Sequence, residues 1–202
     1  MKLVHITDTY APIGGLEKYV IEIAEGLSAH GVSNAIIYRN ESPQTPPSKG
    51  IRYYCIGNHV EGWNQIEKIS GILETEAPDV ICLHDVPSPK LIQELGDTWP
   101  VMAYVQNFVP VCPGLAKYYR RSGKICTRAF GMGCVTSIYI NRCASARHPL
   151  NVARIMRQTG AYLDAYKGIA NIVVASHYMH SLMVQNGFRE NQLHVYFAMR
   201  TI

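Results

Sequence analysis

The sequence predicts an α/β domain, with a Rossmann-like parallel sheet and helices on both faces. Three observations carry this prediction. Short apolar runs alternate with segments of helical period along nearly the whole chain. Those runs lack the apolar/polar alternation of a half-exposed strand, so both of their faces are buried. The first run opens onto a turn holding Gly14 and Gly15 that leads directly into a helix.

The elements follow in order. Lys2–Thr7 is a strand, with Leu3, Val4 and Ile6 as its apolar content. Leu16, Tyr19, Val20, Ile23, Ala24 and Leu27 fall on one face of a helix, and Gly31 stops it. Ala35–Tyr38 and Ile51–Ile56 are strands separated by the proline-bearing loop Asn40–Gly50. Trp63, Ile66, Ile69, Leu73 and Ala77 mark a second helix, ended by Pro78. Asp79–Leu83 is a strand, Pro89–Leu95 a short helix and Pro100–Val105 another strand. Val152 to Tyr166 has the period of a long amphipathic helix. Ile172–Ala175 is a strand, Ser176 caps a helix closed by Gly187, and Leu193–Tyr196 is the last strand. Residues 1–202 read as one domain. The segment from about 108 to 148, rich in Gly, Cys and Arg and without sustained periodicity, is an irregular insertion within it.

Composition narrows the classes. Hydrophobic residues make up 48% and charged residues 17%, which supports a buried core and argues against disorder. No apolar run approaches the roughly 20 residues of a membrane-spanning helix. His5 and Asp8 interrupt the N-terminal apolar stretch, so it lacks the core of a signal peptide. The expectation is a cytoplasmic protein with reduced cysteines. The net charge of +4 is segregated: Thr98 to Leu163 contains no Asp or Glu but nine Lys and Arg.

The Gly14-Gly15 turn follows a strand and opens a helix, so it lies beyond the carboxyl ends of a parallel sheet, where such folds bind ligands. It is either a tight turn or a backbone that approaches a phosphate at the helix start. The full G-x-G-x-x-G of a dinucleotide oxidoreductase is absent. His84 follows one strand at its carboxyl end, and Gln106 and Asn107 follow another; each is a loop residue or a ligand contact. Cys112, Cys126, Cys134 and Cys143 are separated by 13, 7 and 8 residues, without a close C-x2–4-C pair. Buried thiols, a structural metal and disulfides all remain open for them. Arg120, Arg121, Lys124 and Arg128 interleave with Tyr118, Tyr119 and Phe130. No nucleic-acid-binding motif accompanies them, so a nucleic-acid partner is not expected. A solvated basic surface, an anionic acceptor and an anionic membrane at the inner face remain.

His5 to Pro12, followed by Gly14-Gly15-Leu16-Glu17 and then Leu27 and Gly31, resembles the opening of the GT-B glycosyltransferases of family 4. Pro78-Asp79-Val80 to His84, and Val174-Ala175-Ser176 with Asn186-Gly187-Phe188, resemble later segments of that family's N-terminal domain. The resemblance runs in register from about residue 3 to 197. It implies an acceptor-side domain of a retaining, hexosyltransferase-like enzyme. A nucleotide-sugar donor is the co-substrate, there is no resident cofactor, and a glycan or lipid-linked acceptor receives the sugar. In this reading Gly14 and Gly15 face the donor diphosphate, and His84, Gln106 and Asn107 lie on the sugar side. Many family members carry His where Gln106 stands, a departure that leaves the catalytic residue open. The donor-binding C-terminal domain is expected to be absent from these residues, so the chain alone is expected to be inactive. A non-catalytic sugar- or nucleotide-binding module, and half of a GT-B-like sugar-nucleotide epimerase, are the alternatives.

Overall fold

A computed structural model describes residues 1–11, 14–41, 48–57, 66–86 and 88–196. Seven strands form one sheet: β1 (Lys2–Tyr10), β2 (Ser33–Glu41), β3 (Ile51–Cys55), β4 (Val80–His84), β5 (Val101–Val105), β6 (Asn171–Val174) and β7 (Leu193–Val195). Each strand corresponds to one anticipated from the sequence. Every pairing is parallel, and the order is β3-β2-β1-β4-β5-β6-β7.

Among the described residues, six α-helices connect them: α1 (Gly15–Ala29), α2 (Ile66–Glu76), α3 (Pro89–Thr98), α4 (Gly133–Ile140), α5 (Pro149–Lys167) and α6 (His177–Gln185). Trp63, expected to begin the second helix, lies outside the described residues. Local chemistry sets the ends. Ser88 and Ser176 accept from the backbone N–H of Leu91 and Met179, capping α3 and α6. At the end of α1, the amide of Gly31 bonds to Ser28 and that of Val32 to Leu27, closing the helix in the manner expected of a glycine stop.

Right-handed crossovers decide which helix covers which face. The chain runs one way from β1 through β2 to β3, then returns and runs the other way from β4 to β7. Consequently α1 packs on one face, with Tyr19, Val20, Ala24 and Leu27 against β1, β2, β4 and β5. α2, α3, α5 and α6 pack on the opposite face. There Ile69, Leu73, Leu91, Leu95, Tyr166 and Met183 close over Val4, Ile6, Ile37, Leu83 and Val105. Strand alternation sends His5, Cys82 and His84 to the α1 side and their neighbours Val4, Ile6, Ile81 and Leu83 to the other.

The segment between β5 and α5 is more ordered than its composition predicts. It contains α4 and an antiparallel bridge between Tyr118 and Ile125. α4 escapes a periodicity reading because its residues are apolar almost throughout, with only Ser137 and Ile138 buried. Among the described residues, no helix is long and apolar enough to cross a membrane.

Candidate functional site

The strand order reverses between β1 and β4. In open parallel sheets, this switch point leaves a crevice beyond the carboxyl ends of the two strands. Polar side chains gather there. Arg39 Nη2 lies 2.8 Å from Asp8 Oδ1, and Asn40 Nδ2 donates to Asp8 Oδ2 at 3.3 Å. On the β4 side, Asn107 Nδ2 donates to Asp85 Oδ1 at 2.9 Å, while its own Oδ1 accepts from the Val109 amide at 3.0 Å. α5 runs close to both aspartates. Burial raises the Tyr162 phenol to about 12, and the negative charges of Asp85 and then Asp8 add to the shift.

The glycine turn sits above this crevice in the topology. Gly14 and Gly15 are exposed, and Gly14 has φ 96°, a conformation that favours glycine. A Cβ on Gly14 would overlap the carboxylate of Glu17, so that carboxylate folds back over the start of α1. Its negative charge lies at the positive end of the α1 dipole. Pro12 and Ile13, which complete the turn, lie outside the described residues.

His84 is a correction to the sequence reading. It is the last residue of β4, only 1% exposed, and packs between the rings of Tyr19 and Tyr104 at 6.3 Å. It does not line an open sugar-binding surface. A hydrogen-bond relay fixes its tautomer. Asn34 Nδ2 donates to the carbonyls of Ala24 and Val32 and to Ser28 Oγ, so Asn34 Oδ1 accepts from His5 Nε2 at 3.1 Å. His5 Nδ1 is then a lone pair that accepts from His84 Nε2 at 3.0 Å. The remaining nitrogen, His84 Nδ1, is unprotonated, buried and without a partner. Burial lowers His5 to about 4, and it holds His84 well below the ordinary histidine range, with His5 adding to the effect. Both rings are neutral near pH 7.

Gln106 and Asn107 behave differently although adjacent. Asn107 spends its amide on Asp85 and on its own turn, so its role is to join the ends of β4 and β5. Gln106 keeps a buried Nε2 at the carboxyl end of β5 with no hydrogen-bond partner among the described residues.

A cleft of about 340 Å³ opens beside this region, between the β5–α5 excursion and α5. Val109, Gly114, Arg120, Ser145, Gln158 and Tyr162 are among its lining residues, and no carboxylate is. Of the anticipated basic group, Arg120 alone reaches this cleft. Arg121 is tied through its backbone to Asn141, Arg128 Nη1 donates to the Gly133 carbonyl at 3.5 Å, and Lys124 stands exposed beside the Tyr118–Ile125 bridge. None of the four takes part in an ion pair among the described residues. Tyr162, Gln158 and Asp8 carry no sequence signal of a site. Tyr162 reads as a core position on an amphipathic helix, which it also is.

The sheet order and its neighbours in known structures decide the fold. Sucrose-phosphate synthase from Thermosynechococcus elongatus superposes with a TM-score of 0.57 at 13% identity, over 96% of this chain and 47% of that one. The lipopolysaccharide outer core galactosyltransferase WaaB gives 0.56 at 9% identity, over 98% and 45%. HepE from Anabaena, solved in complex with UDP, gives 0.53 at 11% identity, over 98% and 44%.

The chain has the fold of an N-terminal GT-B half-domain.

At these identities the likeness establishes fold alone, and the half-domain spans less than half of each of these three chains. No protein-family model and no curated protein matches it in sequence. In a GT-B half-domain the β1–β4 crevice, the Gly14-Gly15 turn and Gln106 all belong to the face formed by the carboxyl ends of the strands.

Proposed function

We propose that this half-domain is the acceptor side of a retaining glycosyltransferase of the family 4 type. The sugar passes from a nucleotide-sugar to a glycan or lipid-linked acceptor. The observation that carries the reading is the acid-free cleft next to the β1–β4 crevice, with Arg120, Gln158 and Tyr162 lining a ligand-sized space. HepE, of like fold, has been solved with UDP and with UDP-glucose, which supports a nucleotide-sugar as the donor. Gly14 and Gly15 face the donor diphosphate once Glu17 swings away. The cleft takes the acceptor, and Arg120 orients an anionic group on it. Stabilising the leaving diphosphate is the main demand on such a site, so a neutral amide at Gln106 serves by hydrogen bonding rather than proton transfer.

The test is an amide-resolved titration of the isotope-labelled chain. A phosphorylated oligosaccharide should shift signals around Arg120, Gln158 and Tyr162, and Arg120→Ala should weaken binding about tenfold, the effect of losing one charge-assisted hydrogen bond. UDP-glucose should move only the Gly14–Glu17 region, and weakly. No response in the cleft to any anionic glycan would sink the acceptor assignment. A second reading, a non-catalytic binding module, draws on Gln106 in place of the family histidine. Glycan binding without any sugar transfer, in a protein that also holds a donor-binding half, would favour it.

A further inference from the structure

The four cysteines of the β5–α5 excursion are far apart in sequence, and contacts within the excursion bring the segments that bear them side by side. All are free thiols. The Cys126 amide bonds to the Lys117 carbonyl at 2.7 Å, and the Arg121 amide to the Asn141 carbonyl at 3.2 Å. Gly114 backs onto the Cys143 carbonyl so closely that a Cβ would overlap it. Cys134 opens α4 and its Sγ approaches the Ala129 carbonyl at 4.0 Å. Lys117 Nζ donates to the Arg128 carbonyl, and Arg128 Nη1 to the carbonyl of Gly133 beside Cys134. These links set the segments bearing Cys112, Cys126, Cys134 and Cys143 beside one another.

Two further observations mark this as more than packed thiols. Lys117, only 4% exposed, donates its ammonium to the Arg128 carbonyl, and no carboxylate pairs with it among the described residues. A buried ammonium is costly without an anion. From Thr98 to Leu163 there is no Asp or Glu, while Cys126 is bonded through its amide to the Lys117 carbonyl. The cysteines are the nearby groups that can become anionic. The backbone is also strained here. Leu115, Lys117 and Arg142 have φ of 64°, 51° and 51°, three of the four non-glycine residues with positive φ among those described. Such conformations persist where surrounding structure over-determines them.

We propose that Cys112, Cys126, Cys134 and Cys143 bind one thiophilic divalent cation, zinc by its preference for four tetrahedral thiolates, as a clip that holds the excursion against α5. Four S–H bonds are lost and four sulfur–metal bonds form. Four protons leave to solvent, and nothing is oxidised or reduced. The resulting centre has a net charge of −2, which gives Lys117 its anionic counterpart. Among the described residues, the candidate ligand atoms that all lie within 4.8 Å of one another are those of His5, Cys82 and His84. The four excursion sulfurs must therefore draw inward by side-chain rotation on binding. The His5 group is a poorer site, because both His5 nitrogens are engaged by Asn34 and His84. Gly114 and Ala144, neighbours of the clip, line the 340 Å³ cleft, so the ion would fix that wall whether or not the cleft binds a glycan.

Elemental analysis of untagged chain purified with zinc present is the test. One zinc per chain is expected, retained in Cys55→Ser and Cys82→Ser. Each of Cys112→Ser, Cys126→Ser, Cys134→Ser and Cys143→Ser should weaken retention by more than the roughly 10–100-fold that losing a mere supporting group costs. Cobalt added to metal-free chain should give thiolate-to-cobalt charge-transfer absorption and release about four protons, a readout that survives if a serine variant fails to fold. Four reactive thiols with no bound metal and no cobalt spectrum would overturn the proposal. So would a disulfide among the four, iron with labile sulfide, or metal lost with Cys82→Ser.

Discussion

Asn34, His5 and His84 form a buried chain in which each donor finds an acceptor, and it ends at the lone pair of His84 Nδ1, which meets no donor among the described residues. The fold favours the neutral rings, whereas the unfolded chain protonates them near the ordinary histidine value of about 6.5. Stability from this pair is therefore full above about pH 6.5 and is lost as the pH falls towards 4. His5 alone accounts for about 3 kcal/mol. Urea unfolding midpoints should drop between pH 7.5 and 4.5, and the drop should shrink in a His5→Gln/His84→Gln double variant. An equal drop in both proteins would remove the pair as its cause. At Gln106 the expectation is the reverse. Its Nε2 has no protein partner to lose, so Gln106→Ala should change stability by less than about 0.5 kcal/mol while weakening glycan binding. His84 and Gln106 each follow from position in the sequence as strand-end residues, but strand-end position does not distinguish a buried ring from an available amide.

At the scale of elements, the ends of helices hold the sheet together. Glu76 at the end of α2 is 3% exposed and receives Arg52 Nε and Nη2 at 2.7 Å each, the Tyr54 hydroxyl and, at 3.6 Å, Lys2. Burial alone would raise its carboxyl, yet the hydrogen bonds from Arg52 and Tyr54 hold it below the usual range. Glu76→Ala would leave these partners unsatisfied and should cost about 3 kcal/mol, read by chemical denaturation. Ser176→Ala removes one cap of α6 and should cost about 1 kcal/mol. The two illustrate what a sequence displays. Ser176 before an apolar period is a recognisable cap, because capping is local. Glu76 reads as an exposed helix residue, because its partners lie on β1 and β3, more than 20 positions away.

At the scale of the whole molecule, charge segregation is the feature with the widest reach. The excursion carries its arginines without acidic partners, and the field they create is not cancelled locally. Vesicles with anionic lipid should co-sediment with the chain, and neutral vesicles should not. Raising salt should release it, and replacing Arg120, Arg121, Lys124 and Arg128 with alanine should abolish binding. Binding indifferent to lipid charge would assign these arginines to the solvated surface or to the acceptor alone.

By itself the sequence determined the alternation of elements, all seven strands, the capped helices and the glycine turn at the first strand end. Each of these rests on periodicity, apolar runs or local hydrogen bonding within a few residues. Tertiary structure decided the rest: the switch point between β1 and β4, the burial of His84, the place of Tyr162 in the wall of the cleft, and the meeting of the cysteine-bearing segments. These depend on which distant segments meet. Handed crossovers and packing fix that choice, and spacing along the chain does not encode it.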